Sequence, residues 1–263
     1  MKRPLVLAHR GSSAEAPENT LRAFALAKRD GADGVELDVM RCQSGEIAVF
    51  HDDELDRLCG VPGAVRDLPW PALRALSVRG ERIPQLDEVL ETLGGDFFIN
   101  IELKTAPSWR ARVRDDGLAQ CVAAIVRRHG RGADTLVSSF DPMLLARFRR
   151  VAPEISTGLL FGADQALPLR RGWAAPFVGA FAVHPEATLV DEQRMAAWRR
   201  RGLGVNVWTV DDPAEIGYLA SLGVDAVITN RPRDALRALG RAPESTPEVV
   251  ADQTLTREAS WKS

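Results

Sequence analysis

Cysteine and aromatic residues are scarce in this chain of 263 residues, and neither sign of charge is in excess. The three cysteines, Cys42, Cys59 and Cys121, are odd in number and lack metal-type spacing. We therefore expect reduced thiols in a cytoplasmic protein and no disulfide framework. The 34 basic residues nearly balance the 36 acidic residues. Charge thus gives no reason to expect nucleic acid as a partner.

Long apolar runs are also missing. No run reaches the roughly 18 residues of a membrane-spanning helix, so we expect no stable membrane insertion. The start "MKRPLVLAHRG" is basic but its apolar run is short, so we expect no signal peptide. The loops G-x-x-x-x-G-K-[ST] and G-x-G-x-x-G are absent, which argues against nucleotide triphosphatases and dinucleotide enzymes. Ser12 and Ser13 lack a G-x-S-x-G setting, which argues against a serine hydrolase.

What the chain has is a series of short apolar runs typical of strands, most of them separated by amphipathic helical stretches. The runs are 4–9, 34–40, 47–51, 97–103, 135–140, 156–161, 179–184, 204–210 and 225–230. Too few residues separate 34–40 from 47–51 for a parallel crossover. We therefore expect an antiparallel hairpin there, with its turn at Ser44-Gly45. The eight remaining runs predict an α/β fold, a (β/α)8 TIM barrel.

This pattern predicts a single barrel domain over residues 1–240. A small insertion at about 41–80 would follow the second barrel strand and start with the extra hairpin strand. Residues 241–263 are polar and lack a helical or strand period, so we expect a mobile tail. The outer helices have ordinary capping residues, with Asn19 or Thr20 before the first helix.

Two of the predicted barrel strands carry charge where a strand buried on both faces should be apolar. Glu36 and Asp38 are two residues apart and share a face, and so do Glu102 and Lys104. Inward residues near the carboxyl ends of barrel strands line the active site. Three carboxylates there would repel one another unless a cation such as Ca²⁺ or Mg²⁺ neutralised them. The alternative is a structural salt-bridge network, and the cost of burying unpaired charge favours the cation site.

The hairpin brings a histidine towards these carboxylates. With a turn centred between residues 43 and 44, His51 would lie opposite Glu36, and Val49 opposite Asp38. Such cross-strand partners have Cβ atoms about 5 Å apart. A register slip of up to two residues would still leave His51 close to the site.

His9 ends the first strand and would reach the same mouth of the barrel. Two histidines beside a divalent cation and three acids would provide a general acid–base pair and a Lewis acid. Arg10 and Lys104 add positive charge to this mouth, which favours a substrate that carries phosphate.

The segments that carry these residues resemble the signature of the glycerophosphodiester phosphodiesterases. The segments "AHRGSSAEAPENT", "GVELDVMRCQSGEIAVFHDDELDR" and "INIELK" contain H-R-G, P-E-N-T, E-x-D-V, V-x-H-D and I-E-x-K in order. The later "VSSFDP", "VNVWTVDD" and "GVDAVITNRP" are similar to the distal strands of that family, so the resemblance covers about residues 5–235. Two departures are Asn230, where the family often has aspartate, and a shorter insertion that contains tryptophan. We expect neither to touch the catalytic set.

The resemblance implies a barrel with an insertion after its second strand, and it implies three groups of site residues. These are an acid–base pair, His9 and His51; the ligands of one divalent cation, Ca²⁺ or Mg²⁺, namely Glu36, Asp38 and Glu102; and substrate contacts, Arg10, Lys104, Glu18, Asn19 and Trp208. Arg10 and Lys104 would hold the phosphate, and Glu18 and Asn19 would shape the site. Trp208 would pack against the glycerol or alcohol part, or would alternatively be a core residue.

The implied reaction is hydrolysis of a small-molecule glycerophosphodiester to sn-glycerol 3-phosphate and an alcohol. The sequence leaves open whether water or the glycerol 2-hydroxyl attacks first, and which histidine is the base. It does not indicate an oligomeric state or a preferred head group.

Two alternative functions are a lysophospholipase D that acts on lysolipids and a non-catalytic phosphate-binding barrel. The first would need an apolar groove, formed by residues of the insertion that could instead pack on the barrel: Leu55, Leu58, Val61, Val65, Leu68 and Trp70. The presence of both His9 and His51 argues against the second, because binding alone needs only the metal and the cationic side chains.

Overall fold

The structure, a computed structural model, describes residues 3–105, 116–165 and 167–241. The strands in these residues are β1 (Leu5–His9), β2 (Gly34–Arg41), β3 (Ile47–Val49), β4 (Ser77–Val78), β5 (Glu81–Arg82), β6 (Phe98–Leu103), β7 (Thr135–Ser139), β8 (Ser156–Phe161), β9 (Ala182–Pro185), β10 (Gly204–Val207) and β11 (Ala226–Thr229). The α-helices are α1 (Leu21–Arg29), α2 (Asp56–Cys59), α3 (Trp70–Ala75), α4 (Leu86–Leu93), α5 (Leu118–Arg128), α6 (Pro142–Val151), α7 (Leu167–Arg170), α8 (Glu192–Arg200), α9 (Pro213–Ser221) and α10 (Pro232–Ala238).

Eight parallel strands form a closed ring. Its order is β1-β2-β6-β7-β8-β9-β10-β11, and β1 pairs with both β2 and β11, which closes the ring. Strand β3 lies outside this ring and pairs antiparallel with the end of β2. The predicted fold class, a (β/α)8 barrel with an extra hairpin strand, is confirmed.

Helices cover the outside of the ring, and their caps follow from local sequence. Thr20, not Asn19, caps α1, because its hydroxyl accepts a hydrogen bond from the amide of Ala23 at 3.2 Å. Asp212 caps α9 in the same way, which leaves the side chain of Asp211 free for another contact. Helix α8 buries only Met195 and Trp198 among its nine residues. That helix therefore has a weak apolar period.

The predicted register of the hairpin was wrong by one residue. Val49 pairs with Val39, and the amide of Phe50 bonds the carbonyl of Asp38 at 3.0 Å. The loop between the strands is centred on Ser44, since the amide of Cys42 bonds the carbonyl of Glu46 at 3.0 Å. This longer loop is possible because Gly45 has a φ of +111°, a conformation that side chains other than glycine rarely adopt.

The end of β2, the hairpin and the segment up to α4 share a small hydrophobic core, which we call the insertion core. It contains Met40, Cys42, Ala48, Phe50, Leu55, Leu58, Val65, Leu73, Val78 and Ile83. The apolar residues proposed for a lipid groove belong to this cluster or pack against it. They therefore pack on one another, as the alternative to a groove predicts. The boundaries at about 41–80 and at 240 stay predictions.

The predicted tail begins at a residue that is firmly bound. The guanidinium of Arg241 forms two hydrogen bonds with Asp33, at 2.6 and 2.7 Å. Residues 242–263, the rest of the predicted tail, lie outside the described residues.

Among the described helices, none is long and apolar enough to cross a bilayer.

Candidate active site

The carboxyl ends of the barrel strands surround a cavity of about 120 Å³. The residues that line it are His9, Arg10, Glu36, His51, Asn100, Glu102, Phe140, Leu160, Trp208 and Ile228. The charged members come from β1 and the loop after it, from β2 and β6, and from the segment after β3. The apolar members come from later strands, so the cavity has both charged and apolar lining. The pairing of β1 with β2, and of β2 with β3, therefore brings the two predicted histidines to one cavity.

Three buried carboxylates form a cluster beside this cavity. Glu36, Asp38 and Glu102 each offer an oxygen, and these oxygens lie within 4.8 Å of one another. Register places them together, because Asp38 on β2 is the direct neighbour of Glu102 on β6. This set fits a hard divalent cation, which prefers oxygen ligands.

The protonation of the cluster supports this fit. Burial raises the pKa of Glu102 to about 7, and the nearby charge of Asp38 adds to the rise. Burial and the charges of Asp38 and Glu102 raise the pKa of Glu36 well above its usual value. Without a cation the three groups do not all ionise at neutral pH, and a divalent cation would favour their ionised forms.

Asp38 is the carboxylate that keeps its charge. Burial opposes ionisation, but Lys104 and Arg10 hold the pKa of Asp38 below its usual range. Its carboxylate lies 3.5 Å from Nζ of Lys104 and 3.3 Å from Nε of Arg10. The amide of Asn19 donates to it at 2.8 Å. Both predicted phosphate-binding cations therefore lie within ion-pair distance of the predicted metal ligands.

His9 is oriented by Asn230, a residue that we expected to lie apart from the catalytic set. Its Nδ1 lies 2.8 Å from Oδ1 of Asn230, whose Nδ2 donates to Asp211 at 2.7 Å. The bond to Asp211 fixes the amide so that its oxygen accepts from His9. The expectation that Asn230 does not touch the catalytic set was wrong. Contacts between the first and last strands arise from closure of the barrel, which local sequence does not show.

This bond fixes the tautomer of His9 and leaves its other nitrogen unprotonated. Nε2 lies 4.0 Å from a carboxylate oxygen of Glu36. Burial, and next the charge of Arg10, lower the pKa of His9 to about 4. The imidazole is therefore neutral at pH 7, with Nε2 able to accept a proton.

His51 has a different partner, a carboxylate. Its Nδ1 lies 2.6 Å from Oδ1 of Asp52. Asp52 is bound by the guanidinium of Arg57, which also donates to Glu18 at 2.8 Å. Glu18 in turn accepts from Arg10 at 2.7 Å. One hydrogen-bonded chain thus joins His51 in the segment after β3 to the loop after β1.

The turn after His9 requires an unusual backbone. Arg10 has a φ of +55° and Gly11 a φ of +83°. A Cβ on Gly11 would lie 2.6 Å from the carbonyl carbon of Ala23. The turn lets the amide of Arg10 donate to Glu36 at 3.1 Å. Glycine at this position therefore holds the loop close to α1 and aims Arg10 at the carboxylates.

Aromatic rings form part of the apolar lining. Trp208 contacts Phe140 edge to face, with ring centroids 5.5 Å apart. Its Nε1 donates to the carbonyl of His184 at 2.7 Å, which holds the ring at the cavity. His184 itself is fully buried and is not among the lining residues, and its Nε2 lies 3.0 Å from the amide of Asn206.

Some residues of the site were absent from the sequence-based set: Asp52, Arg57, Asn100, Phe140, Asp211 and Asn230. Asp52 directly follows His51, and Asn230 ends a predicted strand, so their positions in the sequence could have indicated that both belong to the site. The guanidinium of Arg57 reaches the site only through the fold of the insertion.

Known phosphodiesterases are similar to this chain in sequence. The model of the "Glycerophosphoryl diester phosphodiesterase family" matches residues 9–234. The chain is 32% identical over 237 residues to the glycerophosphodiester phosphodiesterase of Caldanaerobacter subterraneus subsp. tengcongensis, and the match covers 87% of this chain and 94% of that protein.

Solved structures of phosphodiesterases are similar to this chain in fold. An Oleispira antarctica phosphodiesterase, solved in complex with the product sn-glycerol-3-phosphate, has a TM-score of 0.81 and 28% identity. The match covers 90% of this chain and 97% of that one. The glycerophosphodiester phosphodiesterase of Thermotoga maritima has a TM-score of 0.75 and 29% identity, over 90% of this chain and 99% of that one.

Proposed function

The chain belongs to the glycerophosphoryl diester phosphodiesterase family and is a phosphoric diester hydrolase, and we propose that it uses a divalent cation and two histidines. The substrate would be a small glycerophosphodiester, cleaved to sn-glycerol 3-phosphate and an alcohol. One observation carries this proposal: two histidines with different hydrogen-bond partners and two members of a buried carboxylate cluster line one cavity.

Glu36, Asp38 and Glu102 would hold the cation, Ca²⁺ or Mg²⁺. When bound, such an ion supplies Lewis-acid stabilisation of charge that develops on phosphoryl oxygens. Burial, and next the repulsion between neighbouring acids, raises the pKa of Glu36 and Glu102, and a bound cation would offset both effects. Lys104 and Arg10 balance only part of that charge.

The hydrogen bonds of the histidines suggest how they divide the proton transfers. His9 donates through Nδ1 to a neutral amide, which leaves a neutral ring with Nε2 free to take a proton. His51 instead lies beside the carboxylate of Asp52, a charged hydrogen-bond partner that His9 lacks. We assign His9 as the base that removes the proton of the nucleophile and His51 as the acid that protonates the leaving alkoxide.

The remaining predicted residues have contacts that suit substrate binding. Arg10 and Lys104 would hold the phosphate, since both lie beside the carboxylate cluster. Glu18 would orient Arg10, and Asn19 would orient Asp38. The ring of Trp208 lines the cavity and would contact the glycerol or the alcohol part.

Release of glycerol 3-phosphate from glycerophosphocholine, with and without chelator, tests this proposal. We expect release by the wild type that chelator abolishes and Ca²⁺ or Mg²⁺ restores. His9→Ala and His51→Ala should each lower kcat by about 10²–10⁴-fold. His129→Ala is the matched control, because that histidine binds Asp87 on the surface.

Several outcomes would contradict the proposal. Binding of glycerophosphocholine without hydrolysis by the wild type would indicate a phosphate-binding barrel. Full release in the presence of chelator would exclude the cation, and full release by either histidine variant would exclude that acid–base role. Hydrolysis of lysophosphatidylcholine but not of glycerophosphocholine would indicate a lysophospholipase D.

A further inference from the structure

Asn100 is a buried amide with no hydrogen-bond partner. The residue is 1% exposed, and both Nδ2 and Oδ1 of its side chain lack a partner within the described chain. A buried donor or acceptor without a partner is costly, so native proteins seldom keep one without a use. Its position indicates that the amide can bind a molecule in the cavity, because Asn100 lines the cavity together with His9 and His51.

The position of Asn100 within the barrel is set by register. It lies on β6 beside Glu36 of β2, and two residues before Glu102 on the same face. Lys104 follows two residues later, so Lys104, Glu102 and Asn100 go stepwise deeper into the barrel. Each two-residue step is about 6.6 Å. Asn100 therefore lies on the floor of the cavity, below the level of the phosphate-binding cations.

The chemistry of the amide selects its partner. A carboxamide offers one acceptor and two donor hydrogens, which matches an alcohol that both donates and accepts. Within the proposed function, the substrate has such a group at the right depth. With the phosphate near Lys104, the terminal C1 hydroxyl of glycerol is the group farthest from phosphorus.

We propose that Asn100 binds the terminal hydroxyl of the glycerol moiety and makes the enzyme selective for glycerol over simpler alcohols. This inference rests on the proposed function for its substrate. It adds a specificity residue that touches the glycerol group. A site built to bond a hydroxyl discriminates strongly against an analogue without it, because its own polar groups then stay unpaired.

A pair of matched substrates tests the proposal. Glycerophosphocholine carries the terminal hydroxyl, whereas the phosphocholine ester of propane-1,2-diol lacks it but keeps the neighbouring hydroxyl. We expect the wild type to prefer the glycerol ester by about 10²-fold in kcat/KM. Asn100→Leu should reduce this preference to below about 3-fold, and it should do so mainly by lowering the rate on the glycerol ester.

Control variants separate specificity from packing. Ser138→Ala removes another buried polar group without a partner. Ser138 pairs with Glu102 in the barrel but is not among the residues that line the cavity. This variant should keep the wild-type preference. Asn100→Ala serves as a second, smaller variant if the leucine is not accommodated, and thermal melting checks the fold of each protein.

Binding of the product gives a readout that does not need turnover. Calorimetry should show that Asn100→Leu weakens binding of sn-glycerol 3-phosphate about 10-fold or more, and leaves binding of propane-1,2-diol 1-phosphate within about 3-fold. A wild type that binds these products but hydrolyses neither ester would contradict the proposed function. The effect of Asn100→Leu on the ratio of the two binding affinities would still decide this inference.

Three results would overturn the inference. An unchanged preference in Asn100→Leu and Asn100→Ala would show that the amide does not contact the hydroxyl. Equal losses on both esters would indicate that the amide bonds water or supports the fold. Weaker Ca²⁺ or Mg²⁺ binding with equal losses on both esters would make Asn100 a ligand of the cation.

Discussion

Asn230 accepts a hydrogen bond from Nδ1 of His9 at 2.8 Å, across the junction where the last strand of the barrel meets the first. Asn230→Ala should therefore lower kcat by about 10- to 100-fold with a small change in KM, because the imidazole loses its fixed tautomer and orientation. Steady-state kinetics on glycerophosphocholine measure this effect.

Ser13→Ala is the matched control for Asn230→Ala. The hydroxyl of Ser13 also lies 2.8 Å from Oδ1 of Asn230 but contacts no nitrogen of His9. This variant should stay within about 3-fold of the wild type. An equal loss in both variants would show that the amide supports the loop and does not orient the histidine.

Asp52 should be a positioning residue for His51. Asp52→Asn is expected to lower kcat by about 10- to 100-fold with a small change in KM, because the imidazole of His51 loses the carboxylate that orients it. Asp53→Asn is the control, since Asp53 binds Arg66 at 3.2 Å and not the histidine. An equal loss of kcat in both variants would contradict this role.

Binding of the cation should release protons at neutral pH. Burial raises the pKa of Glu102 to about 7, so part of the cation-free protein is protonated there. Affinity for Ca²⁺ or Mg²⁺ should accordingly increase as pH rises from about 6 to about 8, because bound carboxylates must be ionised. Calorimetry in two buffers of different ionisation enthalpy measures the protons.

Glu102→Gln provides the control for this coupling. The variant should bind the cation more weakly and should release fewer protons, since the residue that titrates is gone. Cation affinity that stays constant between pH 6 and 8 in the wild type would contradict the coupling.

His184 should make the protein sensitive to acid. Burial lowers the pKa of His184 to about 3, so the folded state keeps the ring neutral. The unfolded chain binds a proton below pH 6.5, which removes about 1.4 kcal/mol of stability per pH unit as pH falls. His9, with a pKa of about 4, acts in the same direction.

His184→Gln should remove one of these two contributions. Between pH 6.5 and 5 the variant should lose about 2 kcal/mol less stability than the wild type, as measured by urea denaturation. Equal losses in both proteins would show that the ring binds its proton in the folded state as easily as in the unfolded chain.

The strand count was predictable because it follows from spacing. The short link between residues 40 and 47 excluded a crossover, so the sequence could assign β3 to a hairpin outside the ring. The register of that hairpin was not predictable to one residue. The signal Ser44-Gly45 marks a turn, but the length of the loop depends on the backbone that Gly45 adopts.

The residues of the site were also predictable only in part. Alternation along β2 and β6 predicted that Glu36, Asp38 and Glu102 share a face, and the structure brings them together. Partners such as Asn230 and Arg57 depend on which segments meet when the ring closes and the insertion folds. Local periodicity contains no information on such distant pairs, so the residues that orient the two histidines could not be found from it.

The insertion core is a hydrophobic cluster distinct from the two large clusters of the barrel, and it supports the segment that carries His51. Small clusters of this kind open locally with less free energy than a whole domain. Mild heating is therefore expected to withdraw one histidine from the cavity while the ring of strands stays folded. Inactivation should then precede melting of the barrel and reverse on cooling.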